Sequence, residues 1–160
     1  CNVDEISLKE GNNYIKEVRE SLDDDNAEVL VIATDIESEI AELKDLNEQL
    51  LFLNELGLKK PGVYHLIHST YKLLNLSTYF TAGKQEVRAW TILRGTKAPQ
   101  AAGVIHTDFE RGFIRAEVIS YNDFIELKSE QACKDAGKLA IEGKDYIVKD
   151  GDIIHFRFNT

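Results

Sequence analysis

Cysteine is nearly absent from this 160-residue chain. Cys1 and Cys133 are too few for a disulfide framework, so a reduced, cytoplasmic setting is expected. Methionine is missing altogether, and the sequence opens on Cys1. A lipoprotein with a modified first cysteine is one reading. The reading adopted is a piece of a longer chain, because Cys1-Asn2-Val3-Asp4-Glu5 reads as the middle of a motif. No apolar run approaches the ~20 residues of a membrane span, and no charged-then-apolar leader is present, so no membrane role is expected. Positive charge is scarce at one end. Residues 1–75 hold 7 Lys and Arg against 16 Asp and Glu and carry the whole net charge of −9, whereas residues 76–160 hold 12 of each. The acidic part would repel free nucleic acid, and the balanced part leaves room for local basic patches.

Hydrophobic residues make up 43% of the chain, enough for one or two small domains. Tyr14, Ile15, Val18 and Leu22 fall at helical spacing, which predicts a helix over residues 12–22. The acidic Asp23-Asp24-Asp25-Asn26 reads as a surface turn. The continuous run Val29-Leu30-Val31-Ile32-Ala33 then suits a strand buried on both faces. Thr34 and Glu37 have capping-box spacing, predicting a helix start near Ile36. Its apolar period passes a break at Asp45-Leu46-Asn47 and stops at Gly57. A further helix should follow Pro61-Gly62 and bury Leu66, Ile67, Tyr71 and Leu74.

From Leu76 the apolar period changes to two. Residues 76–80 and 86–92 bracket Ala82-Gly83-Lys84 as a hairpin. Pro99 suits the first turn of a helix reaching His106, and residues 113–119 alternate like a strand. Ser120 and Ser129 are placed to cap short helices, the second ending at Gly137. Residues 146–148 and 153–158 flank Asp150-Gly151, a two-residue hairpin signal.

Several long words in order resemble one family, the YchF or Obg-like ATPases of the P-loop GTPase superfamily. They include Tyr79-Phe80-Thr81-Ala82-Gly83, Glu86-Val87-Arg88-Ala89-Trp90, Ala98-Pro99-Gln100-Ala101-Ala102-Gly103 and Ile105-His106-Thr107-Asp108-Phe109-Glu110. Gly112-Phe113-Ile114-Arg115-Ala116 and Glu142-Gly143-Lys144-Asp145-Tyr146-Ile147-Val148 continue the likeness, which spans essentially the whole chain. The resemblance implies an α+β chain in three parts. Residues 1–54 would be the C-terminal remnant of an α/β P-loop nucleotide-binding (G) domain, and 55–75 a helical connector. Residues 76–160 would be a TGS domain with the β-grasp, ubiquitin-like fold.

It also implies a base-recognition loop at Asn2, Val3 and Glu5, with Ala33 in a second loop offering backbone N–H groups. Guanine-specific relatives place an Asp where Glu5 stands and a Lys where Val3 stands. Adenine lacks the 2-amino group that such an Asp accepts from, so a preference for ATP over GTP is expected of the intact parent, with Mg²⁺. No Gly-x-x-x-x-Gly-Lys-Ser/Thr phosphate loop, no Asp-x-x-Gly and no switch segment occurs here. Phosphoryl transfer depends on those groups. No catalytic residue is therefore assigned, no nucleotide is expected bound to this piece, and hydrolysis by it alone is not expected.

Docking is the expected surviving role. Arg88, Arg94, Arg111 and Arg115 interleave with Trp90 and Phe113, a pairing of cations and aromatics used in RNA contact, although both aromatics read equally well as core. An Arg-rich face of the small sheet should then engage ribosome or RNA. The alternative is a protein–protein adaptor with no nucleic-acid role. His65 and His68 share a helical face without a third ligand, and no metal site is expected. His106 at a helix end should interact with the helix dipole. His155 and Cys133 read as structural.

Overall fold

The computed structural model describes residues 1–23, 27–83 and 86–159. The chain divides into two compact units, Cys1–Leu73 and Leu74–Thr160.

The first unit carries five helices among the described residues: α1 (Glu5–Glu10), α2 (Asn13–Ser21), α3 (Thr34–Glu42), α4 (Leu46–Glu55) and α5 (Gly62–Leu73). Asp4 and Asn12 cap α1 and α2 by accepting from the Ser7 and Ile15 N–H groups. Asp45 caps α4 through Asn47 N–H, so the break at residues 45–47 is a helix start. Gly57, at φ +73°, closes α4 in the left-handed region as its place in the sequence predicts. Ile36, Ile40, Leu53 and Leu56 pack with Ala33 into the core of this unit.

Three expectations for this unit are corrected. Residues 29–33 do not form a two-faced strand. Only Asn2 and Ile32 pair, in a single parallel bridge, and residues 29–32 are half-buried. The chain turns into α1 at Glu5, two residues past Val3, so the pairing with Ile32 is not carried further in that direction. Second, Thr34 does not cap its own helix; Ala33 is the N-cap residue and Thr34 is already helical. Glu37 instead accepts from Gly62 N–H (2.6 Å) and Val63 N–H (3.1 Å), so its carboxylate closes the start of α5. Third, α5 forms as predicted but buries none of its residues: Leu66 is 45% exposed and Ile67 52%. The turn expected at Asp23–Asn26 lies mostly outside the described residues.

The second unit is a mixed five-stranded sheet with helices on it. Its elements are β1 (Leu76–Ala82), β2 (Val87–Leu93), α6 (Ala98–Ile105), α7 (Thr107–Arg111), β3 (Phe113–Ser120), α8 (Tyr121–Leu127), α9 (Glu130–Asp135), β4 (Ala140–Glu142) and β5 (Asp152–Phe158). Strand order is β2-β1-β5-β3-β4. The two central strands, β1 and β5, run parallel, and every other pair is antiparallel. The hairpin of β1 and β2 is in the predicted register region, though Lys84 at its tip lies outside the described residues.

Helix α6 presents Ala98, Ala101 and Ala102 to the sheet, all fully buried, against Tyr79, Phe113, Ala116, Val118, Ile154 and Phe156. Small side chains let the helix backbone approach closely enough for the Tyr79 hydroxyl to donate to the Ala101 carbonyl at 2.8 Å. Ser120 and Ser129 cap α8 and α9 as read from the sequence.

The second hairpin is a correction. The turn at Asp150-Gly151 exists, with Gly151 at φ +82°, but residues 146–148 form only an isolated bridge, Ile147 with Lys97. Gly151 N–H donates to Thr78 O, and Asp150 accepts from Thr78 N–H, which ties the turn to β1. The buried Asp152 accepts from the Tyr146 hydroxyl and Lys149 N–H. The chain entering the turn is thereby held on the α6 side, and β5 pairs with β1 and β3 instead.

Candidate functional site

Asn2 and Thr34 bring the two implied base loops together. The Asn2 Oδ1 accepts from both Thr34 N–H and Thr34 Oγ1, each at 3.1 Å. Val3 N–H donates to Ile32 O, and Ile32 N–H to Cys1 O, both at 2.9 Å. Asn2 therefore acts as a staple between loops, with its side-chain oxygen committed to Thr34 at the surface. Ala33, 2% exposed, turns its methyl into the core. Glu5 opens α1, and its carboxylate pairs with Lys9 one turn along at 3.0 Å.

Beside these loops lies a cleft of about 510 Å³. Its apolar wall comes from Val3, Ala33, Ile36, Phe52 and Leu56, while Asp4, Glu5, Asp35, Glu39 and Glu55 surround it with a single cation, Lys9. Five carboxylates repel phosphate and accept hydrogen bonds from amino groups. Such a cleft is unsuited to a polyphosphate.

The four arginines are not on one face. Directly paired residues share a face, and Arg88 pairs with Thr81 and Trp90 with the buried Tyr79. Arg88 and Trp90 thus lie on the α6 side of the sheet, with the guanidinium 4.1 Å from the indole centroid. Arg115 pairs with Arg157 on the opposite side. There Glu117 accepts from Arg157 Nε (3.1 Å) and Nη2 (2.9 Å) and from Arg115 Nη2 (3.1 Å). Arg94 follows β2 and donates through Nε to Leu76 O. Arg111 ends α7 and is exposed. A single Arg-rich sheet face is therefore corrected: strand alternation separates Arg88 from Arg115. Phe113 is buried core, and Trp90 is partly buried against it. Arg157, flanked by Phe156 and Phe158, carries the same cation–aromatic signal in the sequence and was missed there.

Arg157, then burial opposing it, then Arg115 set the Glu117 carboxyl, which lies below its ordinary 4.5. A lowered folded pKa contributes stability that is full above the unfolded value and is lost as pH falls through the folded one. Denaturant titrations should show wild type losing stability below about pH 4.5, and Glu117→Gln losing less over the same interval. Equal losses would contradict this assignment.

His106 ends α6 and caps α7, its Nδ1 accepting from Asp108 N–H at 3.2 Å. His106 thus stands at the C-terminal end of a helix as expected, and it also caps the helix that follows. His68 faces Tyr64 along α5, its Nδ1 2.9 Å from the Tyr64 carbonyl oxygen. Among the described residues no three His, Cys, Asp or Glu side chains gather as a metal site. No described helix is long and apolar enough to cross a membrane.

The family description "Protein of unknown function (DUF933)", YchF-GTPase_C, matches residues 76–159. The chain is 58% identical to the "Ribosome-binding ATPase YchF" of Pasteurella multocida over all 160 residues, which is 44% of that protein. It is 53% identical to the protein of the same name from Bacillus subtilis, covering 98% of this chain and 43% of that one. Its structure resembles that of the Schizosaccharomyces pombe YchF GTPase, with a TM-score of 0.82 at 37% identity, over 98% of this chain and 42% of that one. These likenesses place the chain among relatives of the P-loop GTPases. It belongs to the YchF family. The chain spans under half the length of these relatives.

Proposed function

We propose that this chain is the C-terminal part of a cytoplasmic, ribosome-associated nucleotide-binding protein and that its own role is docking. The observation that carries this is the second unit's sheet, order β2-β1-β5-β3-β4 with a parallel central pair and α6 laid across one face. That arrangement supports a β-grasp TGS domain over residues 76–160. Residues 1–54 would end the nucleotide-binding domain, and 55–75 would connect the two. The names of the relatives, ribosome-binding ATPases, support a ribosome partner.

In the intact parent, Asn2, Val3, Glu5 and Ala33 would frame the base of ATP or GTP. Asn2 would hold the loops in register, while Val3 and the buried Ala33 would supply apolar wall. Glu5 lines the cleft, but its carboxylate is paired to Lys9 and so is less available to a base than the Asp that selects guanine. Phosphate and Mg²⁺ contacts would come from outside this chain, since its cleft is acidic.

Arg88, Arg94, Arg111 and Arg115 are the proposed RNA contacts, now acting from more than one side of the sheet. Charge reversal at Arg88 and at Arg115 should each weaken co-sedimentation with ribosomes. Added salt should lower wild-type binding by about tenfold or more between ~50 and ~200 mM. Unchanged binding in both variants would remove the arginine assignment. Binding indifferent to salt would favour the protein–protein adaptor, for which the exposed Val87, Leu93, Ile114 and Ile141 offer apolar surface.

A further inference from the structure

Strand β2 is an edge of the sheet, seven residues long and paired without a bulge to β1 alone. The opposite edge, β4, has only three residues. Long apolar edges template pairing with another strand unless Pro, Lys, inward charge or a bulge guards them. Within Val87–Leu93 there is no Pro, no Lys and no bulge; the one charge, Arg88, lies on the α6 side and is spent over Trp90, 4.1 Å from its ring centre. Val87 is 73% exposed and Leu93 61%.

The ladder fixes which backbone groups face outward. Arg94 N–H donates to Asn75 O at one end, and Gly83 N–H to Glu86 O at the other. Even-numbered residues of β2 thus bond inward, and alternation turns the N–H and C=O of Val87, Ala89 and Leu93 away from β1.

We propose that β2 pairs antiparallel with β2 of a second copy of this chain, about a two-fold axis at Trp90. Outward-facing residues then meet as ladder partners, Val87 opposite the second copy's Leu93 at each end. On the α6 side Glu86 falls opposite the second copy's Arg94, twice per dimer. Glu86 is an exposed carboxylate, its side chain 68% accessible, and within its own chain it meets Arg88 only at 4.0 Å, so the comparison of registers concerns charges across the seam. Sliding the register by two residues one way sets Arg88 against the second copy's Arg94, like charge on like. Sliding it the other way leaves both Glu86 and Arg94 without an opposite charge. Self-complementary charge therefore selects one register and one partner, a second copy. This inference is independent of the docking role.

Sedimentation velocity on the purified chain across a concentration series tests it. Wild type should show a reversible dimer. Arg94→Glu should raise the dissociation constant at least tenfold, and the swap Glu86→Arg/Arg94→Glu should restore it. Ala89→Pro should abolish the dimer with circular dichroism unchanged, because the Ala89 N–H makes no bond to β1 and Pro is tolerated at such edge positions. A monomer at every concentration, a dimer indifferent to Ala89→Pro, or a charge swap that fails to restore association would each overturn the proposal.

Discussion

Gly112→Ala should unfold much of the second unit's closure, at a cost of about 3 kcal/mol. Gly112 follows α7 with φ −87°, a value open to any residue, so the demand is for space and not for a left-handed backbone. A Cβ built there would fall on the carbonyl oxygen of Asn159. That obstacle is backbone, fixed because Asn159 N–H donates to Gly112 O at 2.8 Å while Gly112 N–H donates to Asp108 O at 2.9 Å. Relief requires moving the end of β5 away from the start of β3, and with it the Phe109–Phe158 stack at 3.7 Å. The single tryptophan, Trp90, lies in this unit, so its fluorescence reports the unit's unfolding without interference. Gly143→Ala is the control: a Cβ there meets nothing within 4 Å, and the variant should melt with wild type. Equal melting of the two variants would refute the close approach.

Tyr79→Ala should cost about 3–5 kcal/mol, and Tyr79→Phe about 1–2 kcal/mol. Tyr79 is fully buried at the centre of the second core, edge-on to Phe156. Truncation removes a large side chain from between β1 and α6, where the rigid sheet and a helix of alanines leave little that can collapse into the space. The phenylalanine variant keeps the volume and removes one donor, leaving the Ala101 carbonyl without the Tyr79 hydroxyl. Burial also pushes the Tyr79 phenol above its ordinary value, so it should stay protonated through mild alkali. Denaturant midpoints read by Trp90 fluorescence would rank the variants. A Phe variant as damaged as the Ala variant would show that the hydroxyl, and not the ring, supplies most of the stability.

Local chemistry was legible in the sequence wherever a residue acts on its chain neighbours. Ser120 and Ser129 cap the helices they precede, Gly57 ends α4, and Ala82-Gly83 marks the turn of β1 into β2. What failed was partner choice across distance. Asp150-Gly151 does turn the chain, but a turn signal does not say which strand the next residues join; Thr78 decides that here. Glu37 has the spacing of a local cap and serves a helix 25 residues away. The stripe Leu66-Ile67 correctly indicated a helix and an apolar side, yet periodicity states a need for cover and not its supplier. The base loops were placed by resemblance. Their geometry, with Asn2 spent on Thr34, was not readable because it depends on where two separate segments meet.

The Glu37 carboxylate makes α3 and α5 a jointed pair. Both contacts fall on the first two residues of a twelve-residue rod about 18 Å long. The other end is held as well, Lys72 donating to Glu28 at 2.7 Å, so a carboxylate pins the rod near each tip and the loss of either one frees a single end.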